Sequence, residues 1–332
     1  MTQISIIGAG SWGTALAIVA ARAGHGVKLW SRRDDVVDSI NTRHVNSHYL
    51  SSSDIPASVK ASTDLATSLS ETSLVLLATP SHALRQLLTE MRPELDQSQV
   101  IVSVAKGIEI DTGKRVSELV DEILGESWSG QFVCLSGPSF AKEVVSGHPT
   151  AIVAAGQNEA SARIVQAAFS FENLRIYTNT DVVGTELGGS VKNVMAIAAG
   201  MTVGLGLGSN SVAALITRGL AEIARLSLSH GGQLETLMGL AGLGDLVLTC
   251  TGSLSRNRFV GEELGKGRTL EKITSGMNEV AEGIKTTRAV KRLSERAGIE
   301  MPITAVVDSV LYEGKTARDA VTELMNRPLR QE

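Results

Sequence analysis

Cysteine is almost absent: Cys134 and Cys250 are the only two among 332 residues. Two widely separated thiols exclude a disulfide framework and show no metal-ligand spacing, so no metal site is expected. Basic charge is not in excess either. Thirty-one Lys and Arg stand against 35 Asp and Glu, a formal net charge of −4, which argues against a nucleic-acid partner. No charged segment followed by an apolar leader opens the chain, because a strand-like run begins at Ile4. The longest uncharged run, Asn193 to Thr217, invites comparison with a membrane span. It is broken by Gly200, Gly204, Gly206 and Gly208 and then by Ser209-Asn210-Ser211, so it predicts two buried helices around a loop. Repeats, low-complexity tracts and long linkers are missing, and the length suits two domains. These absences predict a cytoplasmic protein with large cores and no membrane span.

What is present begins at once. Ile4-Ser5-Ile6-Ile7 leads into Gly8-Ala9-Gly10-Ser11-Trp12-Gly13 and then into the apolar run Thr14 to Ala20. Strand, glycine turn and helix together form the context in which a G-x-G-x-x-G pattern signals a dinucleotide site. Gly8 permits the tight turn, Gly10 lets backbone approach a diphosphate, and Gly13 permits close packing. The N–H groups at the helix start would face the diphosphate. The competing reading is a glycine-rich turn that binds nothing.

A second strand, Val27 to Trp30, ends at Ser31-Arg32-Arg33, where an NAD site usually carries an acid for the ribose 2′-hydroxyl. Guanidinium groups suit a 2′-phosphate instead. NADP(H) is therefore expected to be preferred, unless both arginines are simply solvated.

Up to about residue 180, strand-like runs at 3–7, 27–30, 74–78, 100–104, 132–135, 150–155 and 174–177 alternate with helical patterns. That order predicts an α/β domain with a parallel sheet. From Asp181 the pattern becomes helical. Leu187, Val191, Val194, Met195, Ala198 and Met201 trace one helix face, and further helices are predicted at 211–230, 257–265, 278–297 and 304–312.

Ligands of open α/β sheets bind beyond the carboxyl ends of the strands, which directs attention to Thr79-Pro80-Ser81-His82, Ala105-Lys106-Gly107 and Ser136 to Glu143. Lys106 is placed either to reach a bound group or to sit on the surface. Lys192 shares a helix face with Thr185, Gly188, Gly189, Ala196 and Ala199. Those small residues would let another surface approach and partly desolvate the ammonium, as a general acid/base requires; the alternative is a solvent-facing lysine. Asp245, between Gly244 and an apolar stretch, either orients a lysine or substrate hydroxyl or caps a helix. Ser255-Arg256-Asn257 combines a hydroxyl, a guanidinium, an amide and a helix start, a set that suits a phosphate. An ordinary N-cap with basic neighbours is the other reading.

Six segments, GAGSWGTALA (8–17), AKGIE (105–109), SGPSFAKEV (136–144), LGGSVKNVMAIAAG (187–200), AGLGDLVLTCTGSLSRNR (241–258) and EGIKTT (282–287), carry a resemblance to bacterial NAD(P)-dependent glycerol-3-phosphate dehydrogenases over nearly the whole chain. The resemblance implies a Rossmann-type, mostly parallel sheet domain at 1–181 and an all-helical substrate-binding domain at 182–332. It implies interconversion of dihydroxyacetone phosphate and sn-glycerol 3-phosphate for phospholipid synthesis, with NAD or NADP as cofactor, and a homodimer. Ser11, Trp12, Arg32, Arg33, Tyr49, Lys106, Ala141, Arg256, Val280 and Glu282 would join the glycines in contacting cofactor. Lys106, Gly137, Ser139, Lys192, Asp245, Thr249, Ser255, Arg256 and Asn257 would contact substrate, with Lys192 as proton donor/acceptor. The nearest alternative is a β-hydroxyacid dehydrogenase of the same two-domain plan. It would need a carboxylate site, which Ser255 to Arg258 does not resemble.

Overall fold

The computed structural model describes residues 2–277, 279 and 281–329. The chain forms two compact units. One runs to Lys106 and resumes over Lys114–Glu186; the other takes Gly107–Gly113 and everything described from Leu187 onward.

In the first unit the elements are β1 (Gln3–Ile7), α1 (Ser11–Arg22), β2 (Gly26–Trp30), α2 (Asp34–Arg43), β3 (Val45–Asn46), β4 (Leu50–Asp54), β5 (Val59–Ser62) and α3 (Leu65–Leu69). They continue with β6 (Leu74–Leu77), α4 (Leu84–Met91), β7 (Val100–Ser103), α5 (Val116–Leu124), β8 (Phe132–Ser136), α6 (Ala141–Val145), β9 (Thr150–Ala155), α7 (Glu159–Phe169) and β10 (Leu174–Asn179). Eight strands pair in the order β10-β9-β8-β7-β6-β1-β2-β5. Every residue of β6 and β7 is buried, as expected of strands covered on both faces. Alternation divides them: Ile6, Leu76 and Val102 join the core under α1 and α7, whereas Ile7, Val75, Leu77 and Ile101 join the one under α4 and α5. The chain builds outward from β1 to β2, then returns to β6 on the other side of β1. The topological switch point therefore lies at β1, where ligands of such sheets bind.

Two features depart from the sequence expectation. β9 runs antiparallel to β8, and β10 is parallel to β9. The return from Ser136 to Thr150 carries only the five-residue α6, too little for the crossover that a parallel neighbour needs. In addition, β3, β4 and β5 form where no strand is predicted. Their sequences, Val-Asn, Leu-Ser-Ser-Ser-Asp and Val-Lys-Ala-Ser, lack the apolar run that reveals buried strands.

The second unit is helical: α8 (Val182–Gly204, entering it at Leu187), α9 (Ser209–Ser229), α10 (Leu234–Met238), a π-helical turn at Leu240–Gly244, α11 (Asp245–Thr251), α12 (Arg256–Gly265), α13 (Leu270–Thr274), α14 (Glu282–Ala297), α15 (Pro302–Tyr312) and α16 (Ala317–Met325). The uncharged run forms two helices around a loop, but only α8 is buried as expected: over 209–217 only Ile216 of α9 is buried. The helix predicted from 278 starts at Glu282. From residue 184 to 202 α8 is buried on all sides, so it reads as a central helix. It packs backbone-close on α12. A Cβ on Gly200 would lie 2.0 Å from the Arg258 carbonyl oxygen, and one on Gly261 would lie 1.9 Å from that of Ile197. Among the described residues no helix is long and apolar enough to cross a membrane.

Candidate functional site

In the first unit the glycine turn fits the predicted chemistry. Gly8 has φ +125° and its N–H donates to the Trp30 carbonyl at 3.0 Å. A Cβ there would strike the Ala78 carbonyl oxygen at 2.6 Å. Gly13 lies on that turn, where a Cβ would come within 1.9 Å of the Gly8 oxygen. Gly10 differs: as N-cap of α1 it is extended, and a Cβ on it would meet nothing within 4 Å. The open backbone sits beside the N–H groups that a helix start leaves without intrahelical partners, and no acidic residue occupies the first turn. A diphosphate fits that opening.

The turn is tied to the segment from β3 to Tyr49 through Asn46, a residue that sequence reasoning missed. Asn46, fully buried, donates through Nδ2 to the Ala9 carbonyl and to Thr14 Oγ1, both at 2.8 Å, and its Oδ1 accepts the Tyr49 N–H. Ser11 Oγ donates to the Tyr49 carbonyl at 2.7 Å. Ser11 and Tyr49 are thus brought together, and Trp12 and Tyr49 pack on the core beneath. No local pattern marks Asn46, because its partners lie 32 and 37 residues away.

At the end of β2, Arg32 is exposed. Arg33 is half-buried and engaged: Nε and Nη2 donate to the two oxygens of Asp35 at 2.9 and 2.6 Å. That bond raises the guanidinium pKa and lowers that of the Asp35 carboxyl. An acid therefore does stand near the predicted ribose position, two residues beyond the arginine.

Beyond β7 and β8, Lys106 Nζ donates to the Gly137 carbonyl at 3.2 Å, and Ser139 Oγ donates to the same oxygen at 3.1 Å. Gly137 has φ +140°, and a Cβ there would meet Ile152 Cα at 2.9 Å. Only glycine fits, and the strain-free turn presents its carbonyl to both groups. Ala141 is the first residue of α6.

In the second unit Lys192 is not a surface lysine; it is 4% exposed, and Asp245 is 1% exposed. The ammonium donates to Asp245 Oδ1 and, at 2.8 Å, to Thr249 Oγ1. Thr249 Oγ1 in turn donates to the Asp245 main-chain carbonyl at 2.6 Å, so the hydroxyl is fixed by its own helix while it accepts from the ammonium. Buried charges persist only when paired in this way. Nearby, burial pushes the Cys250 thiol up to about 12, leaving it an inert small apolar group.

The Ser255-Arg256-Asn257 segment opens α12, and its groups have separate tasks. Ser255 is the N-cap, accepting the Arg258 N–H at 3.2 Å. Arg256 pairs with Glu279. Asn257 donates to Asn193 Oδ1 and accepts the Gly283 N–H, both at 3.0 Å. This amide joins α8, α12 and the start of α14, where Glu282 is the first residue. Val280 lies outside the described residues.

A glycine turn at the switch point of a mostly parallel sheet, followed by a helical unit, places the chain among dinucleotide-dependent α/β oxidoreductases. Comparison narrows the class. Two family models, the NAD-dependent glycerol-3-phosphate dehydrogenase N-terminus and C-terminus, match residues 3–162 and 181–322. The chain is 54% identical over 330 residues to glycerol-3-phosphate dehydrogenase (NAD(P)+) of Koribacter versatilis, covering 99% of this chain and 98% of that protein. The corresponding protein of Bacillus cytotoxicus is 46% identical over 332 residues, covering 100% and 97%. The crystal structure of glycerol-3-phosphate dehydrogenase from Coxiella burnetii superposes with a TM-score of 0.94 at 42% identity, covering 98% of this chain and 99% of the other. The chain belongs to the NAD-dependent glycerol-3-phosphate dehydrogenase family.

Proposed function

We propose that this protein interconverts dihydroxyacetone phosphate and sn-glycerol 3-phosphate with NADPH or NADH, supplying glycerol phosphate for phospholipid synthesis. The observation that carries the reading is the buried Lys192–Asp245 pair braced by Thr249. The dinucleotide supplies the hydride equivalent for C2. Residues 1–181 bind it, with the diphosphate over Gly8, Gly10 and Gly13 and with Ser11, Trp12, Arg32, Arg33, Tyr49 and Ala141 as further contacts; the family resemblance adds Val280 and Glu282. Residues 182–332 hold the substrate.

In the reductive direction Lys192 gives its proton to the C2 oxygen as the carbonyl electron pair becomes an alkoxide; in the oxidative direction the neutral amine takes that proton back. Asp245 and Thr249 fix the ammonium, so its charge is already aimed when the oxyanion develops. Lys106 is the second lysine of this reading: held with Ser139 at the Gly137 carbonyl, it offers the substrate a further positive charge. Arg256 binds the substrate phosphate in exchange for Glu279, while Ser255 and Asn257 shape that subsite from the start of α12. The phosphate acts as a remote handle that orients C2.

Two buried unpaired cysteines support a cytoplasmic setting, the acidic net charge supports the absence of a nucleic-acid partner, and the family resemblance supports a homodimer. Replacing Lys192 by Ala is expected to lower kcat at least a hundredfold while NADPH binding, followed by its fluorescence, stays intact. Near-normal turnover of that variant would remove Lys192 from the mechanism.

A further inference from the structure

Lys192 and Asp245 do not meet through their own side chains alone. One helical turn before Lys192, on the same face of α8, stands Gly188. Four residues before Asp245, in the π-helical turn, stands Ala241. These two earlier positions also touch: a Cβ on Gly188 would lie 2.9 Å from the Ala241 carbonyl oxygen, 3.3 Å from Leu237 Cδ2 and 3.5 Å from Gly242 Cα. The two segments thus meet at two rungs, a backbone rung at Gly188–Ala241 and a charged rung at Lys192–Asp245. Behind the turn, Gly242 rests on Leu237, where a Cβ would come within 2.1 Å of the Leu237 oxygen. The turn therefore has little room to retreat. Nor is α8 free to slide, since Gly200 and Gly204 lie against the α12 backbone, where added Cβ atoms would meet oxygens at 2.0 and 2.1 Å.

We propose that Gly188 is a positioning residue for the proton-transfer pair: the absence of a side chain there sets the spacing between α8 and the π turn, and so the placement of Lys192 on Asp245. The inference rests on the reading of Lys192 as the proton donor. A methyl at 188 must open the backbone rung by about half an ångström to reach ordinary contact. With both flanks held, the opening tilts α8 at the rung that carries Lys192. Site geometry must hold to roughly that tolerance.

The test is a double-mutant cycle on kcat with dihydroxyacetone phosphate and NADPH. Gly188→Ala is expected to lower kcat about tenfold, scaling from the hundredfold loss typical of a 1 Å misplacement, with both KM values within about twofold of the parent. In an Asp245→Asn background the same substitution should change kcat less than about twofold, because the pair it positions is already broken. Should Gly188→Ala fail to fold, Leu237→Ala, which removes side-chain atoms seated against Gly188, is run through the same cycle and should show the same dependence on Asp245. Wild-type kcat in the single variant, or an equal loss in both backgrounds, would overturn the positioning role alone. An unchanged kcat in Asp245→Asn would likewise overturn the inference alone, whereas near-normal kcat in Lys192→Ala would overturn the underlying reading and the inference with it.

Discussion

Glu222 on α9 offers a stability prediction whose sign runs against the usual behaviour of carboxylates. Its side chain is 2% exposed and caps the start of α15, accepting the Ile303 N–H at 2.6 Å, the Thr304 N–H at 3.2 Å and the Thr304 hydroxyl at 3.3 Å. Burial outweighs these bonds and pushes the carboxyl up to about 7 from an ordinary 4.5. Between those values the folded chain holds a proton that the unfolded chain has released. Stability from this group is therefore complete below pH 4.5, declines as pH rises, and is lost above pH 7. Two and a half pH units of linkage amount to about 3 kcal/mol. Glu222→Gln keeps an acceptor for the α15 amides and removes the titration. Urea unfolding of parent and variant at pH 5, 6, 7 and 8 should show the variant improving relative to the parent by about 2.5 kcal/mol across the series, the rest of the linkage lying below pH 5. Glu122, which Arg85 and Lys114 hold down at about 2, titrates below this window and does not obscure it. A parent–variant difference that stays constant with pH would refute the argument.

Other contacts carry their own tests. Asp35→Asn frees the Arg33 guanidinium for a 2′-phosphate; because a solvated ion pair contributes little, the NADPH/NADH ratio of kcat/KM should rise only about two- to fivefold, and a fall would exclude this role. Glu186, buried, accepts from Arg115 Nη1 at 2.9 Å, the Ser117 N–H at 2.9 Å and the Ser117 hydroxyl at 2.6 Å. Glu186→Ala removes the acceptor of all three bonds but leaves Arg115 with Glu118 and the Ser117 hydroxyl, so it should cost about 1–3 kcal/mol in urea unfolding; an unchanged unfolding free energy would mean the contact contributes little. Gly261→Ala drives a methyl into the Ile197 carbonyl and should cost about 1–3 kcal/mol, read as a lowered Tm. An unchanged Tm would show that α8 and α12 can part freely.

The glycine turn was readable from sequence because its chemistry is local: six consecutive residues supply the φ +125° turn, the open backbone and the helix start. The buried runs of β6 and β7 were readable for the same reason, since continuous apolar residues have few other places to go. The small residues around Lys192 announced a close neighbour. They did not say which one, because Asp245 lies 53 residues away and only the fold joins them. Ser255, Arg256 and Asn257 looked like one phosphate cluster by adjacency. In the fold their groups point to a cap, to Glu279 and to Asn193 with Gly283. Asn46 left no trace at all, since a buried polar residue bound to distant backbone has no periodicity. Arg33 and Asp35 stand two residues apart in the sequence, yet no local pattern says that the carboxylate closes on the guanidinium as it does in the fold.

The most direct measurement is NADPH oxidation at 340 nm with dihydroxyacetone phosphate, run beside dihydroxyacetone and a 3-oxo acid. Rapid oxidation with the phosphate ester and little with either of the others is the predicted result. Turnover of the 3-oxo acid, or no turnover of the phosphate ester by protein that still binds NADPH, would contradict the assigned substrate and leave only the fold and the dinucleotide turn standing.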